Sequence, residues 1–271
     1  MNTESTGTHL FSLIKPRPED GNKYTFGTLL MLVGSEDMPG AGVLASLGAL
    51  RSGVGVLCIT GRKSVTDIIS KSVPEAVCEP FGKQEGKRRH SAFLCGCGLG
   101  RTYDEDLEDI LTSITLPSVF DADCINYFSE HKDILGRIKC EYIITPHSAE
   151  MSRLTGKSVA EIESSREETA LSFARDHSCV VLLKGKNTVI ASPDGRICIN
   201  VSGNTALSKG GSGDVLTGVI GSLLAQGYCT YDAARLGAYL HGVAAEELSK
   251  KLGVHGVIPS DLPAEIGRLM G

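Results

Sequence analysis

Residues 203–218, GNTALSKGGSGDVLTG, put glycines at 210, 211 and 213 just ahead of Asp214, and an apolar run starts directly behind it. Glycine admits backbone angles that side chains forbid, so such a turn can approach a ligand closely. A helix starting near Asp214 would aim unpaired N–H groups and the positive end of its dipole forward, which suits an anion such as phosphate. The acid itself then needs a reason, because a carboxylate beside bound phosphate is repelled. Two readings stay open at this point: Asp214 caps the helix, or it acts as a general base.

Four other stretches carry residues able to do chemistry, and each follows a short apolar run. Gly96-Cys97-Gly98-Leu99-Gly100 comes after residues 92–95, Asp121 and Asp123 after 118–120, His147 after 142–145, and Lys184-Gly185-Lys186-Asn187-Thr188 after 179–183. None is specific alone. Glycines after a strand often serve geometry only, and an isolated histidine is usually structural. Asp123 reads as a helix cap, whereas Asp121 at a strand end could meet a ligand or a hydrated cation.

The elements that must position these residues alternate between strand and helix. Strands are expected at 28–33, 54–59, 92–95, 118–120, 142–145, 179–183, 189–191 and 197–201, the last pair forming an antiparallel hairpin at the sheet edge. Helices are expected at 41–52, within 61–79, and at 104–113, 123–135, 148–154, 161–177, 214–225, 232–248 and 259–269. The first of these is built from very small residues, which implies close packing. This order gives an α/β fold with a mostly parallel central sheet, read as one domain over 21–271 after a polar, proline-containing tail at 1–20 that is expected to be flexible. Gly98, Asp121, His147, Lys184 and Asp214 then all fall on the rim where strands end, which favours a shared site over five separate structural roles.

Composition narrows the function classes. With 271 residues and 41% hydrophobic content the chain can bury a large core, and a net charge of −5 argues against nucleic acid or an anionic membrane as the main ligand. The one dense basic cluster, residues 83–90, is expected as a solvated loop. No apolar run has the length of a membrane span, and no signal segment opens the chain. Nine cysteines lie scattered without a paired C-x-x-C spacing, so no zinc site is expected and a reducing, cytoplasmic setting is.

Taken together, residues 25–55 (TFGTLLMLVGSEDMPGAGVLASLGALRSGVG), 96–100 (GCGLG), 121–126 (DADCIN), 145–156 (TPHSAEMSRLTG), 183–190 (LKGKNTVI) and 203–227 resemble the ADP- or ATP-dependent NAD(P)H-hydrate dehydratase family. The likeness runs through the chain from about residue 20 in the family's order. It implies a ribokinase-like three-layer sandwich and repair of NADH or NADPH that has gained water across the nicotinamide ring. In that family the ring hydroxyl of the S epimer is phosphorylated from ADP or ATP and phosphate is then lost. The resemblance assigns Asp214 as the base, Gly211, Ser212 and Gly213 as the anion hole, and Lys184, Gly185, Lys186, Asn187, Thr188 and Gly213 as nucleotide contacts. Ala41, Gly98, His147 and Asp214 would meet the hydrated dinucleotide. Magnesium is implied with the nucleotide, without assigned protein ligands. A separate epimerase and a homo-oligomeric state are implied as well. Two features depart from the family pattern: Cys97 stands where many relatives have proline, and Asn204-Thr205-Ala206 replaces Asn-Pro-Gly. The alternative is a hydroxyl kinase of the same fold acting on a pyrimidine or thiazole alcohol; a non-catalytic nucleotide-binding regulator is disfavoured by the presence of Asp214.

Overall fold

Every side chain from Leu29 to Val33 is buried, yet they divide between two cores. Leu29, Met31 and Val33 join one apolar cluster while Leu30 and Leu32 join the other. Successive side chains of a strand point to opposite faces, so a strand covered on both faces reads as one continuous hydrophobic run. The computed structural model describes residues 2–81, 89–101 and 103–271, and most of the basic cluster at 83–90 lies outside the described residues.

The strands are β1 (Asn2–Ser5), β2 (Thr28–Leu32), β3 (Val56–Gly61), β4 (Val77–Pro80), β5 (Ala92–Cys95), β6 (Ser118–Phe120), β7 (Tyr142–Ile144), β8 (Val180–Leu183), β9 (Thr188–Ala191) and β10 (Arg196–Asn200). They form one sheet in the order β1-β10-β9-β8-β7-β6-β5-β2-β3-β4. The block from β4 to β8 is parallel throughout, β9 is antiparallel to both its neighbours, and β1 adds parallel to β10. Helices α1 (Pro39–Arg51), α2 (Lys63–Ser72), α8 (Ser212–Ala225), α9 (Thr230–Leu252) and α10 (Leu262–Leu269) bury their apolar residues on one face. On the other lie α3 (Asp104–Ser113), α4 (Ala122–Glu130), α5 (Ser148–Thr155), α6 (Val159–Ser164) and α7 (Arg166–Asp176). The result is the expected three-layer sandwich. No helix among the described residues is long and apolar enough to cross a membrane.

Four local expectations are corrected. Residues 2–13 are not a loose tail: β1 pairs with the free edge of β10, and a 3-10 turn over Thr8–Leu13 buries Leu10 in the core. The pairing uses backbone groups, which a polar sequence does not advertise. The strand β4 was not expected; it extends the parallel sheet beyond β3 with only every other side chain half-buried. The helix expected over 161–177 is two, because Ser165 takes φ −143° and ψ 46° between α6 and α7. Ser158 opens α6 in a capping box, its hydroxyl accepting from the Glu161 N–H at 3.2 Å and its own N–H donating to Glu161 Oε2 at 2.8 Å. Finally, Asp123 caps nothing: Asp121 holds the N-cap position of α4, and Asp123 instead accepts the Gly100 N–H at 2.7 Å.

The small residues of α1 do serve close packing. A methyl group on Gly218 would lie 2.0 Å from the Ala45 carbonyl oxygen, and one on Gly48 would lie 2.5 Å from that of Val215. The backbones of α1 and α8 therefore touch, and α1 fixes the height at which α8 starts. Replacing Gly218 by alanine must push the helices apart, and overpacking of this kind costs about 1–3 kcal/mol. Urea unfolding of Gly218→Ala is expected to show an unfolding free energy lower by that amount, read as a lower midpoint at unchanged slope; an unchanged midpoint would mean that the two helices separate freely.

Candidate active site

Strands β2, β5, β6, β7 and β8 run the same way, so their carboxyl ends open on one edge of the sheet, where backbone bonds tie them together. The Gly34 N–H donates to the Cys97 carbonyl at 2.8 Å, that of Asp121 to the Cys95 carbonyl at 3.1 Å, and that of Lys184 to the Pro146 carbonyl at 2.8 Å. His147 and Lys184 pair as a parallel bridge. At the first turn of α1, a methyl group on Gly98 would come within 2.6 Å of the Ala41 Cβ and 3.0 Å of the Met38 carbonyl. Gly98 also has φ +64°, so both space and backbone angle call for glycine there. Gly98 and Ala41, far apart in sequence, thus form one surface.

The glycine turn closes over this edge. Gly211, at φ 100°, is the N-cap of α8, which begins at Ser212, two residues earlier than expected. Asp214 is therefore the third residue of the helix and not its cap. The Ser212 N–H donates to the Lys209 carbonyl at 3.2 Å, whereas the N–H groups of Gly210, Gly211, Gly213 and Asp214 have no backbone partner among the described residues. Gly213 sits over an ion pair: a methyl group there would lie 3.6 Å from Lys184 Nζ and 3.8 Å from Asp121 Oδ2.

That pair organises the charges of the site. Lys184 Nζ donates to Asp121 Oδ1 at 2.7 Å, Thr217 Oγ1 donates to Asp121 Oδ2 at 2.7 Å, and Lys184 Nζ lies 3.9 Å from Glu150 Oε2. Burial pushes the Asp121 carboxyl upward, but the Lys184 ammonium and the Thr217 and Thr145 hydroxyls reverse this and hold it below its ordinary value. Asp121 is thus occupied on both oxygens, which does not match its reading as a residue free to meet a cation. Glu150 is buried, and that burial pushes its carboxyl up to about 7 against the pull of Lys184. Burial and the neighbouring Asp121 charge raise Asp214 to about 6, with Cys97 and Lys184 opposing. His147 is lowered by burial and by Lys184. Its Nδ1 accepts the N–H groups of Ala149 and Glu150 at 3.1 and 3.2 Å, while the His147 backbone N–H donates to Glu150 Oε2 at 2.8 Å, so it caps α5 as well as facing the rim.

On the other side of the turn is a cavity of about 550 Å³, lined by residues 184–188, 200–205, 207–208, 212–213 and 216 with Ala238 and His241. Of the residues expected at a nucleotide site, all of 184–188 and Gly213 line it together with Ser212. The Lys184 side chain reaches away from the strand end to Asp121, so this residue touches both halves of the site. Asp214 is not among the lining residues; Ala41, Gly98 and His147 are not either. Two anchoring residues went unread in sequence although a signal existed. Glu150 stands three after His147, the spacing of a capping box, and Thr217 stands four after Gly213, one turn along the same helix. Nothing in the apolar run of α9 marked His241.

The ion pair has a measurable energetic signature. Removing one partner leaves the other charged and poorly solvated, a loss of about 3 kcal/mol. Asp121→Asn and Lys184→Met are each expected to destabilise the protein by that order. The double variant should lose much less than the sum in denaturant unfolding, and strict additivity would show that the two groups do not interact.

Comparison with known proteins agrees with the geometry. A family model described as NAD(P)H-hydrate dehydratase matches residues 29–268. The ADP-dependent (S)-NAD(P)H-hydrate dehydratase of Neisseria meningitidis serogroup B is 39% identical over 252 residues, covering 91% of this chain and 84% of that protein. The structure of the Bacillus subtilis ADP/ATP-dependent NAD(P)H-hydrate dehydratase, co-crystallised with ATP/Mg2+, superposes with a TM-score of 0.84 at 34% identity, covering 96% of this chain and 95% of that one. A ribokinase-like superfamily protein of Enterococcus faecalis, 22% identical and sharing the fold, has a TM-score of 0.88 over 99% of this chain and 95% of that one. The chain spans about half the length of the bifunctional NAD(P)H-hydrate repair enzymes that it also matches. With the ribokinase-like fold, the glycine turn over the Asp121–Lys184 pair and these matches in place, the chain belongs to the NAD(P)H-hydrate dehydratase family.

Proposed function

We propose that this protein dehydrates the S epimer of NADH or NADPH hydrate at the expense of ADP or ATP, returning the intact cofactor. The observation that supports this reading most is the position of the Gly211–Asp214 turn. Its Ser212 and Gly213 line the 550 Å³ cavity with residues 184–188, and its Asp214 presents a carboxyl with a raised pKa to the Cys97 and Asp121 cluster. A donor nucleotide in the cavity and a hydroxyl held near Ala41, Gly98 and His147 would meet across that turn.

The chemistry follows from the leaving group. Hydroxide is expelled poorly from the reduced ring, whereas phosphate leaves readily. Asp214 takes the proton of the ring hydroxyl as its oxygen attacks the terminal phosphorus, and the bond to the nucleotide's bridging oxygen breaks. The N–H groups of Gly211 and Gly213, at the positive end of α8, stabilise the charge on the phosphoryl oxygens. The electron pair of the ring nitrogen then expels phosphate, and loss of a proton from the adjacent carbon restores the double bond. Lys184, held by Asp121, lies under Gly213 and balances the incoming negative charge. No carboxylate lines the cavity among the described residues. A magnesium ion bound with the nucleotide would therefore keep water and phosphate ligands there and would supply further charge neutralisation.

On this reading the domain works with an epimerase activity that supplies the S form; relatives about twice as long are named bifunctional NAD(P)H-hydrate repair enzymes. No disulfide joins any of the nine cysteines among the described residues, in keeping with a cytoplasmic setting. Self-assembly belongs to the same reading and is open to sedimentation.

The test is to incubate the protein with hydrated NADH and either ADP or ATP and follow return of the dihydronicotinamide absorbance. Recovery with a nucleotide and none without supports the reading; no recovery with either overturns it. Asp214→Asn should slow turnover by about 10²–10⁴ while nucleotide still binds. Because the base must be ionised, kcat/KM of the wild type should fall about tenfold per pH unit below about 6, the value to which Asp214 is raised. Stability has the matching sign. The unfolded carboxyl ionises near its ordinary value of 3.8 while the folded one stays protonated up to about 6. The wild type therefore loses stability between those pH values, and Asp214→Asn should gain on it as pH rises from 4 to 7 in paired thermal melts.

A further inference from the structure

At the β4 edge of the sheet, on the face opposite α8, three side chains able to ligate a metal meet. Cys58 comes from β3, Glu79 from β4 and His90 from the segment leading into β5. The thiol sulfur, one carboxylate oxygen and one ring nitrogen all lie within 4.8 Å of one another. Strand register explains the meeting. Cys58 pairs with Val77 and Thr60 with Glu79, so Cys58 and Glu79 are diagonal neighbours whose side chains fall on one face. On that face Cys58 joins Leu30, Leu32 and Phe93 in the core. Ligands drawn from three segments leave no short spacing, so the cysteine pattern gives no sign of them.

The contact between two of the three has an informative geometry. His90 Nε2 and Glu79 Oε2 are 3.0 Å apart, close enough for a hydrogen bond, yet Nε2 makes none. The ring therefore does not aim this nitrogen at the carboxylate. Two ligands of one ion stand in this way, side by side rather than pointing at each other. Around a tetrahedral zinc with bonds of about 2.0–2.3 Å, neighbouring ligand atoms are about 3.3–3.7 Å apart, so side-chain shifts of about 1 Å bring the three atoms to that spacing.

A path for an ion exists. Cys58 is fully buried, whereas the side chains of His90 and Glu79 keep 9% and 17% exposure. These two line a cavity of about 500 Å³ with Thr60, Asp106 and Lys139. An ion arriving from the cavity meets the carboxylate and the imidazole first and the sulfur behind them. The donor set selects the cation: sulfur, imidazole nitrogen and a single carboxylate oxygen suit zinc, not the all-oxygen shells of magnesium or calcium.

We propose that Cys58, Glu79 and His90 bind one zinc ion, with water from the cavity as fourth ligand, and that the ion fastens the edge strand β4 and the approach to β5 onto β3. The thiol releases its proton as the zinc–sulfur bond forms. The site is distinct from the glycine turn, the nucleotide cavity and the Asp121–Lys184 pair, and its three ligands take no part in the phosphoryl transfer described above.

The test uses cobalt(II) as a coloured stand-in for zinc on the intact, reduced protein after removal of metal by a chelator. One equivalent of Co2+ should give near-ultraviolet thiolate-to-cobalt absorbance and the intense visible bands of a four-coordinate site, and zinc should abolish both. Cys58→Ser should remove the near-ultraviolet band. His90→Ala should weaken zinc by at least about 100-fold, since losing even a residue that supports a ligand costs about 10–100-fold. Cys78→Ser, beside Glu79 on β4 but exposed on the opposite face, should change neither. Should Cys58→Ser fail to fold by circular dichroism, X-ray absorption of the zinc-loaded wild type decides. One sulfur at about 2.3 Å with nitrogen and oxygen at about 2.0–2.2 Å supports the site; no sulfur, or two or more, overturns it. A wild type without the near-ultraviolet band, a band that survives in Cys58→Ser, or undiminished zinc binding by folded His90→Ala would overturn it as well.

Discussion

A carboxylate and an ammonium group joined at 2.7 Å beneath the start of a helix hold this site together. Asp121 comes from the end of β6 and Lys184 from the end of β8, two strands apart in the sheet, and Thr217 reaches the same carboxylate from α8. Sheet and helix are thereby locked at one point. The pair is nearly closed off from water, with side chains 3% and 21% exposed, so its attraction offsets a large desolvation cost and leaves little net gain. Its value lies in placement. Gly213 sits beside both charges, and Asp214 follows it into the field of Asp121.

The same charges divide the work among neighbouring groups. Burial and then Asp121 raise Asp214 toward the range where a carboxylate is a useful base, while Lys184 limits that rise and adds to the burial that depresses His147 and His241. A single aspartate left in water would be too weak a base for an alcohol, and one buried alone would not ionise. Between these extremes the cluster keeps Asp214 able to exchange a proton near neutrality. Mechanical support comes from behind, where α1 touches α8 backbone to backbone, so the height of the glycine turn is set by small residues such as Ala45, Gly48 and Gly218.

Much of this was legible in the residues. Continuous apolar runs marked the buried parallel strands, and the glycine, aspartate, histidine and lysine motifs each followed one, which brought them to a common rim. Three kinds of feature were not legible. Pairing of β1 with β10 rests on backbone groups of a polar stretch, which carry no periodic signal. The partner of Asp121 could not be named, since an ion pair spanning 63 residues leaves no local pattern and the acid looked free for a cation. His241 sits in a helix whose surroundings are apolar, and a lone histidine there reads as core. Spacing reports what is near in sequence, and these contacts are near only in space.

The central claim is that the site transfers a phosphoryl group to the substrate's hydroxyl before anything is eliminated, and the fate of one oxygen atom tests it most directly. NADH hydrate carrying ¹⁸O in the ring hydroxyl, turned over with unlabelled nucleotide, should deliver the label to inorganic phosphate, because the oxygen stays bonded to phosphorus as the carbon–oxygen bond breaks. Label recovered in water, with none in phosphate, would contradict the account and reduce the nucleotide to an effector of a direct dehydration.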